Sequence, residues 1–220
     1  MTVTSTAPYL ATPIVVLDFP PLSIVKRQRF ETKVKRSYRN ELEAQALIAA
    51  LKGLRPVVDA DGRRPTLVVL SPYLAQVNWF KQLLNQQVGK DKTLFGFVSP
   101  RGNGDFVFTS DRFQGGEADV VVASLVRNNV MVGSRALGFV KSPQRMNVLL
   151  SRARQKLVLA TSQRFIREVV DGIDPDGTKD ELEFLRKMLK ELARLETANF
   201  DRVGKGASIV KVDENGRFPA

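Results

Sequence analysis

The stretch MNVLLSRARQKLVLA, residues 146–160, decides the fold because a helical pattern passes directly into a strand pattern. Its first half carries an apolar stripe at helical spacing, formed by Met146, Leu149, Leu150 and Ala153. Its second half opens the apolar run 156–161, which predicts a buried strand. A helix that leads straight into a buried strand is typical of domains in which helices and strands alternate.

Two arginines occupy this junction. In a helix with about 3.6 residues per turn, Arg152 and Arg154 fall on opposite borders of the apolar stripe, and both can extend past the buried face. No Asp or Glu lies between Glu117 and Glu168. Since a buried arginine needs a partner, that partner is either a distant acid, as in an ordinary salt bridge, or a ligand.

The rest of the chain repeats the alternation of strands and helices. Further short apolar runs predict strands at 14–18, 66–70, 106–108 and 119–124. Helix starts follow at Ser71-Pro72 and Ser142-Pro143, each an N-cap with proline at the first helical position, and at Ser162. The pattern predicts an α/β fold with a mainly parallel sheet flanked by helices, RecA-like in the resemblance given below. Ligands on such sheets bind beyond the carboxyl ends of strands, so the turns SPYLAQ, SDRFQGGE, SLVRNN and SRAR are the candidate site.

The first two helices have predicted ends and inward faces. Asn40 is the predicted N-cap of the first helix, with Glu43 completing a capping box and Gly53 ending the helix. The predicted inward positions are Leu42, Ala46, Ala49 and Ala50 in this helix and Leu74, Val77, Trp79, Phe80, Leu83 and Leu84 in the second. We assign Trp79 to the core rather than to stacking on a base.

Composition bounds the possible functions. The 220 residues are 43% hydrophobic and include no Cys and no His, which excludes disulfides, zinc fingers and Ser-His or Cys-His catalysis. The net charge of +11 favours a polyanionic partner such as nucleic acid. The alternatives are a solvated basic surface, or one domain of a larger neutral protein. No apolar run approaches a membrane span and the N-terminus lacks the basic start of a secretory signal, so we expect no membrane partner. The lack of Cys fits a cytoplasmic or nuclear location.

The most basic segment, KRQRFETKVKRSYR at 26–39, has no clear helical period. It is predicted to be a loop, and either a solvated charge run or a nucleic-acid patch explains its composition.

The sequence contains no complete nucleotide-hydrolysing machinery. No G-x-x-x-x-G-K-[ST] motif occurs, and Asp18 at the end of an apolar run is followed by Phe19 rather than Glu. A metal nuclease would need a carboxylate cluster, which the sequence does not offer. An arginine in such a chain can still act as a finger on a phosphate held by another domain.

The turns together resemble motifs V and VI of superfamily 1 helicases, nearest to the nonsense-mediated-decay RNA helicase and its DNA-helicase relatives. The segments that carry the resemblance are FQGGE, VVVASLVRNN and GFVKSPQRMNVLLSRARQKLVLAT, with LVVLSPYLAQ and SYRNELEA upstream. The matching positions in motifs V and VI are Asp111, Phe113, Gln114, Gly115, Glu117, Ser124, Val126, Arg127, Gly138, Phe139, Arg145, Asn147, Val148, Leu150, Arg152, Ala153 and Arg154. The resemblance covers about residues 13–165 and implies the second of two RecA-like domains.

The resemblance also implies roles for individual residues. Arg152 is similar to the catalytic arginine finger of motif VI. The expected contacts to ATP with Mg²⁺, held mainly by a P-loop domain in cis or in trans, are Gln114, Gly115, Glu117 and Arg154. The expected lining of the channel for single-stranded DNA or RNA is Ser71, Pro72, Tyr73, Ser124 and Arg127. The plainer alternatives are helix capping, packing and surface charge, and for Arg154 an ion pair with a local acid.

These predictions divide the chain into an N-terminal segment (1–12), a RecA-like domain (13–170) and a C-terminal helix and tail (171–220). The helix is predicted from Thr178 to about Leu195, and the last residues form a small hairpin or an unpaired tail. The leading hypothesis is the C-terminal lobe of an ATP-dependent superfamily 1 helicase, inactive without its P-loop domain. The alternative is a non-enzymatic helicase-like module that binds nucleic acid or protein.

Overall fold

A computed structural model describes residues 3–21, 31–173, 179–198 and 207–218. Its strands are β1 (Val3–Ser5), β2 (Ile14–Asp18), β3 (Thr32–Val34), β4 (Ser37–Arg39), β5 (Leu54–Pro56), β6 (Leu67–Ser71), β7 (Thr93–Leu94), β8 (Phe97–Val98), β9 (Val107–Thr109), β10 (Ala118–Ser124), β11 (Ala153–Thr161) and β12 (Ala207–Lys211). Its α-helices are α1 (Glu41–Gly53), α2 (Leu74–Leu84), α3 (Pro143–Leu150), α4 (Gln163–Asp171) and α5 (Lys179–Ala198).

Six strands form the central sheet in the order β12-β2-β11-β10-β6-β9, and every neighbouring pair is parallel. All seven residues of β10 and all five of β6 are buried. Strands covered on both faces read as continuous apolar runs, which is why the sequence revealed them. The predicted α/β fold with a mainly parallel sheet flanked by helices is confirmed.

Each face of the sheet carries its own hydrophobic layer, because successive strand side chains point to opposite faces. Val120 and Val122 pack with α1 and α2, whereas Val121 and Ala123 pack with α3, α4 and α5. The central strand β10 therefore lies beneath both layers.

The predicted start of α1 is half correct. The Asn40 side chain accepts a hydrogen bond from the Glu43 amide at 3.1 Å, as an N-cap does, and α1 includes Gly53 as its last residue. The Glu43 carboxyl does not return to the Asn40 amide, which donates to Gln76 instead. Glu43 itself is buried, so α1 turns a carboxyl toward the core and leaves the predicted inward residue Ala49 exposed.

The predicted starts of the later helices differ in accuracy. α3 begins at Pro143 after Ser142, and the Ser162 hydroxyl caps α4 by accepting from the Phe165 amide at 3.3 Å, both as predicted. α2 begins only at Leu74, because pairing with β9 carries strand β6 through Ser71. The prediction of Ser71 as its N-cap was therefore wrong.

The inward face of α2 also differs from prediction in part. Val77, Phe80 and Leu84 are buried as expected, but Leu74 is 56% exposed because it starts the helix at the sheet edge. Trp79 packs against the core, as predicted, with the Arg39 guanidinium 4.7 Å from its ring centre.

The helical stripe proposed for both arginines of the SRAR turn was wrong. α3 ends at Leu150, Arg152 lies in the turn that follows, and Arg154 lies within β11. Pairing of Ala153 with Ala118 of β10 draws this segment into the sheet.

The basic segment 26–39 is only partly described, since residues 22–30 lie outside the described ranges. The remainder was predicted to be a loop, but β3 and β4 form an antiparallel hairpin with Lys35 and Arg36 at its tip. Because many of its side chains are charged, no apolar pattern in the sequence indicated these short strands.

The two ends of the described chain pack against the domain. β1 pairs with β5, and Leu10 is fully buried. Leu182, Leu185 and Leu189 of α5 enter the core, and β12 adds to the central sheet beside β2. The expectation of a separate hairpin or an unpaired tail was therefore wrong. None of the described helices combines the length and apolar character needed to cross a membrane.

Candidate nucleotide and nucleic-acid sites

The predicted site residues lie at two opposite edges of the sheet. Glu117 and Arg152 precede β10 and β11, at the amino edge, whereas Ser71 and Ser124 end β6 and β10, at the carboxyl edge. At about 3.3 Å per residue, the seven residues of β10 separate the two edges by roughly 20 Å. The FQGGE and SRAR turns thus depart from the expectation that all four turns lie beyond the carboxyl ends, since each precedes a strand.

Arg152 is fixed at the amino edge by backbone carbonyls. Its Nε donates to the Val148 carbonyl at 2.7 Å, and its Nη1 donates to the Gly116 carbonyl at 3.2 Å. Nη2 donates to the Ser151 hydroxyl at 3.0 Å. No carboxylate among the described residues forms an ion pair with Arg152. A guanidinium has five N–H groups, so this half-buried cation keeps capacity for an anionic ligand.

Arg154 has an acidic partner. Its Nε lies 2.9 Å from a carboxylate oxygen of Glu117, and both side chains are about half exposed, at 51% and 49%. Arg154 therefore pairs with a nearby acid, as the plainer alternative expects, and its contact with a nucleotide stays a prediction. A surface pair of this kind stabilises the fold by at most about 1 kcal/mol, so a ligand can displace it at low cost.

Gln114 and Gly115 complete the exposed rim of the amino edge. Gly115 has a φ of +79°, and a Cβ placed there would meet no atom within 4 Å. The positive φ, rather than lack of space, is thus what favours glycine at position 115. No neighbouring atom crowds this part of the rim. Exposed Gln114, Glu117 and Arg154 thus lie on one rim with Arg152, and their contact with a nucleotide stays a prediction.

At the carboxyl edge, four buried side chains form what we call the strand-end network: Asn40, Glu43, Gln76 and Ser124. The Ser124 hydroxyl donates to the Glu43 carboxyl at 2.6 Å and accepts from the Gln76 amide at 3.0 Å. Gln76 also bonds both the amide and the carbonyl of Asn40, at 2.8 and 3.0 Å. The network therefore joins β10 to the first turns of α1 and α2.

The strand-end network holds an unusual peptide unit at Val126. This residue has a φ of +70°, which is rare and strained for a β-branched residue. Its amide donates to Glu43 at 2.9 Å, and its carbonyl accepts from the Asn40 side chain at 3.4 Å. The loop after β10 thus takes a path that local sequence alone would disfavour.

Burial governs the ionisation of Glu43. Desolvation raises its pKa from 4.5 to about 8, against the lowering effect of hydrogen bonds from Ser124 and Val126. The neutral acid therefore predominates near neutral pH. The other carboxyl oxygen of Glu43 has no hydrogen-bond partner among the described residues.

Arg127 is buried rather than displayed. It is 3% exposed, its guanidinium lies 4.3 Å from the Tyr38 ring centre, and its Nε lies 3.3 Å from the Glu31 carboxylate. The same Nε donates to the Ala136 carbonyl at 3.0 Å. Arg127 and the equally buried Ser124 therefore shape the carboxyl edge from below its surface, and a role at the nucleic-acid strand stays a prediction for both.

Pro72 and Tyr73 are partly exposed at the same edge. The Tyr73 hydroxyl accepts from the Phe139 amide at 3.1 Å, next to Gly138, which has a φ of +54°. Burial raises the Tyr73 pKa, partly offset by that hydrogen bond and by Arg127. One side of the Tyr73 ring is thus fixed to the loop after β10.

Comparison with known proteins identifies the family. Residues 4–164 match the family model described as an AAA domain. The chain belongs to this AAA domain family. The resemblance to superfamily 1 helicases of the nonsense-mediated-decay branch, and the RecA-like fold that it implies, are confirmed.

Several curated relatives of this AAA domain are helicases by name. It is 34% identical over 105 residues to the ATP-dependent helicase NAM7 of Saccharomyces cerevisiae, covering 47% of the chain and 10% of that protein. Over 156 residues it is 29% identical to an uncharacterized ATP-dependent helicase of Methanocaldococcus jannaschii, covering 70% of the chain and 20% of the relative. It is also 35% identical over 91 residues to the DNA polymerase alpha-associated DNA helicase A of S. cerevisiae, covering 41% and 11%. The chain thus matches a small part of each relative.

Sequence reasoning missed the strand-end network of this AAA domain. Glu43 lies in the segment SYRNELEA and Gln76 lies in LVVLSPYLAQ. The polar residues of these two segments were the only indication in the sequence that such a network could form. Within the described residues, no group of three or more acidic side chains is placed to hold a metal ion.

Proposed function

We propose that this AAA domain is the C-terminal RecA-like lobe of an ATP-dependent superfamily 1 nucleic-acid helicase. The observation that carries the proposal is Arg152, a guanidinium fixed by two backbone carbonyls at the amino edge without a carboxylate ion pair among the described residues. An arginine finger needs this combination of fixed position and uncompensated charge.

ATP with Mg²⁺ supplies the phosphoryl group and is held mainly by a P-loop domain outside this chain, in cis or in trans. Arg152 would direct its remaining N–H groups at the phosphates and stabilise the charge that develops as the γ-phosphoryl group passes from ADP to water. Glu117 orients the nucleotide from the neighbouring turn, with Gln114 and Gly115 beside it. Arg154 would exchange its ion pair with Glu117 for a contact with the nucleotide when the P-loop domain meets the amino edge.

A single strand of DNA or RNA lies at the opposite edge of the sheet. Pro72 and Tyr73 contact it from the turn after β6, and Ser71, Ser124 and Arg127 support that surface from below. The buried strand β10 connects Glu117 at one edge with Ser124 at the other. A shift of the amino edge when the nucleotide is hydrolysed is transmitted along this strand to the nucleic-acid edge.

The experiment is the nucleic-acid-stimulated ATPase rate of the full-length protein that carries this chain. Arg152→Ala should lower the rate by about 10³-fold or more, with nucleic-acid binding retained. Arg167→Ala is the control: it removes an exposed arginine of α4 that has no proposed role at either site, and it should leave the rate unchanged. An unchanged rate for Arg152→Ala would overturn the finger assignment and favour the binding-module alternative. The 220-residue chain alone should hydrolyse no ATP.

A further inference from the structure

The β3–β4 hairpin and the turn after β6 enclose a groove of about 600 Å³ at the carboxyl edge. Lys35 and Arg36 at the hairpin tip form one wall. Pro72, Tyr73 and Leu74 form the other. The groove therefore lies between a cationic wall and a largely apolar one.

Contacts with α2 and with the loop after β10 fix the hairpin in place. The Ser37 hydroxyl accepts from the Ala75 amide at 3.1 Å. The Tyr38 ring meets the Tyr73 ring edge to face at a centroid distance of 5.6 Å, and Arg127 covers Tyr38. A solvated run of charges would lack such contacts. The contacts therefore favour a nucleic-acid-binding patch over a solvated charge run as the explanation of residues 32–39.

The charge at the tip is available to a ligand. Lys33, Lys35 and Arg36 are exposed, and no carboxylate in the described part of the chain forms an ion pair with them. Arg39 at the base is different, since it pairs with Glu41 at 2.7 Å and lies over Trp79. The positive charge is thus neutralised at the base of the hairpin, whereas no described carboxylate neutralises it at the tip.

The opposite wall offers apolar contact. Leu74, in the first turn of α2, is 56% exposed and presents its side chain to the groove. Tyr73 presents a ring whose hydroxyl is already occupied by the Phe139 amide. A groove that joins positive charge on one side to apolar and aromatic surface on the other suits a chain with phosphates along one side and bases along the other.

We propose that this groove binds single-stranded nucleic acid, with Lys35 and Arg36 contacting two phosphates and Leu74 packing against a base or sugar. The inference rests on the proposed function, since it extends the path of the same strand. The new element is the β3–β4 hairpin, whose Lys35 and Arg36 were not among the residues predicted to contact single-stranded nucleic acid. An acidic peptide would meet the charges equally well but gains less from the apolar wall.

The test is the salt dependence of binding of labelled oligouridylate and oligothymidylate to the 220-residue chain, followed by fluorescence anisotropy. The double variant Lys35→Asn/Arg36→Gln removes both charges. Asparagine tolerates the φ of +54° at position 35, so the turn is kept. The slope of log K against log salt should become shallower by about 1.4, because each phosphate contact on a single strand contributes roughly 0.7.

A matched control is available on the turn before β7. Lys90→Gln/Lys92→Asn removes the same charge from exposed lysines, and Lys92 also has a positive φ, of +59°. This control should leave the slope unchanged. Leu74→Ser should weaken binding several-fold without changing the slope, since it removes apolar contact and no charge.

The outcomes separate the alternatives. Equal slope changes in the two double variants would overturn the groove assignment, because the effect would then report net charge alone. Competition by polyglutamate as effective as that by the oligonucleotide would also overturn it, in favour of an acidic peptide. If the folded wild-type chain binds no single strand, the inference and the strand contacts of the proposed function both fail, whereas the Arg152 result stands independently.

Discussion

The Ser124 hydroxyl lies 2.6 Å from the buried Glu43 carboxyl, so the end of the central strand is tied to the first turn of α1. The same carboxyl accepts the Val126 amide at 2.9 Å. One side chain thus contacts both the last residue of β10 and the loop that follows it. The loop leads to Arg127, whose guanidinium lies over the Tyr38 ring of the β3–β4 hairpin.

Stability should fall between about pH 5 and pH 8 because of Glu43. Its pKa in the folded chain is about 8, against 4.5 unperturbed, so the folded state binds more protons than the unfolded state within that interval. The contribution of Glu43 to folding stability is therefore greatest below the lower value, decreases as pH rises toward the higher one, and then levels off. The total loss is roughly 3–5 kcal/mol. Urea unfolding at a series of pH values measures it.

Glu43→Gln should remove most of this pH dependence, since the amide oxygen still accepts from Ser124 and Val126 but does not ionise. Glu41→Gln, in the same turn but partly exposed, is the control and should keep the wild-type profile. A Glu43→Gln profile as steep as the wild type would contradict the assignment.

Gly138→Ala should destabilise the domain by about 2–4 kcal/mol. The φ of +54° strains an alanine, and its Cβ would lie 2.5 Å from the Tyr73 hydroxyl oxygen. Gly102→Ala isolates the backbone contribution, about 1 kcal/mol, since its φ is +66° and its Cβ would meet nothing within 4 Å. Thermal unfolding distinguishes the two.

The clash also predicts a non-additive pair. In a Tyr73→Phe background the hydroxyl is absent, so Gly138→Ala should cost less than it does in the wild type. Strict additivity would show that Tyr73 is not the group that excludes a side chain at position 138.

Arg152 and Arg154 should differ in their contribution to stability. Arg152→Ala removes hydrogen bonds to the Val148 and Gly116 carbonyls and should cost about 1–2 kcal/mol. Arg154→Ala removes an exposed ion pair with Glu117 and should cost less than about 1 kcal/mol. Urea unfolding of both variants checks this, and a larger loss for Arg154→Ala would show that the surface pair supports the fold.

Asp119, at the amino edge of the sheet, should make the folding stability of the domain sensitive to acid. Burial raises its pKa, but hydrogen bonds from the Thr66 amide and hydroxyl and from Arg63 outweigh that effect and leave the pKa below 3.8. Its stabilisation is present above the unfolded value and is lost as pH falls through the folded one. Asp119→Asn should therefore cost about 1–3 kcal/mol near neutral pH and progressively less in acid.

Thr66→Val tests the same cluster from the other partner and should cost about 1 kcal/mol. If Asp119→Asn left stability at neutral pH unchanged, the hydrogen bonds between β10 and the start of β6 would not be what lowers the carboxyl pKa.

The sequence by itself determined the α/β class, the parallel strands at 14–18, 66–70 and 119–124, and the helicase resemblance of its turns. These follow from apolar runs and from spacings of a few residues, which a linear pattern records. It also placed Arg152 beside a buried strand, because the stripe of α3 and the run of β11 are adjacent in the chain.

Only the tertiary structure decided which polar residues meet. Glu43 and Ser124 are 81 positions apart, and burial of a carboxyl there is stable only because α1, α2 and β10 converge to satisfy it. Likewise, the hairpin becomes a wall of a groove through contacts with α2, and Arg152 is separated from Ser124 because parallel strands carry their two ends to opposite edges. Local periodicity reports which face of an element is apolar, whereas the partner of a charged or hydrogen-bonding group is set by packing between elements distant in sequence.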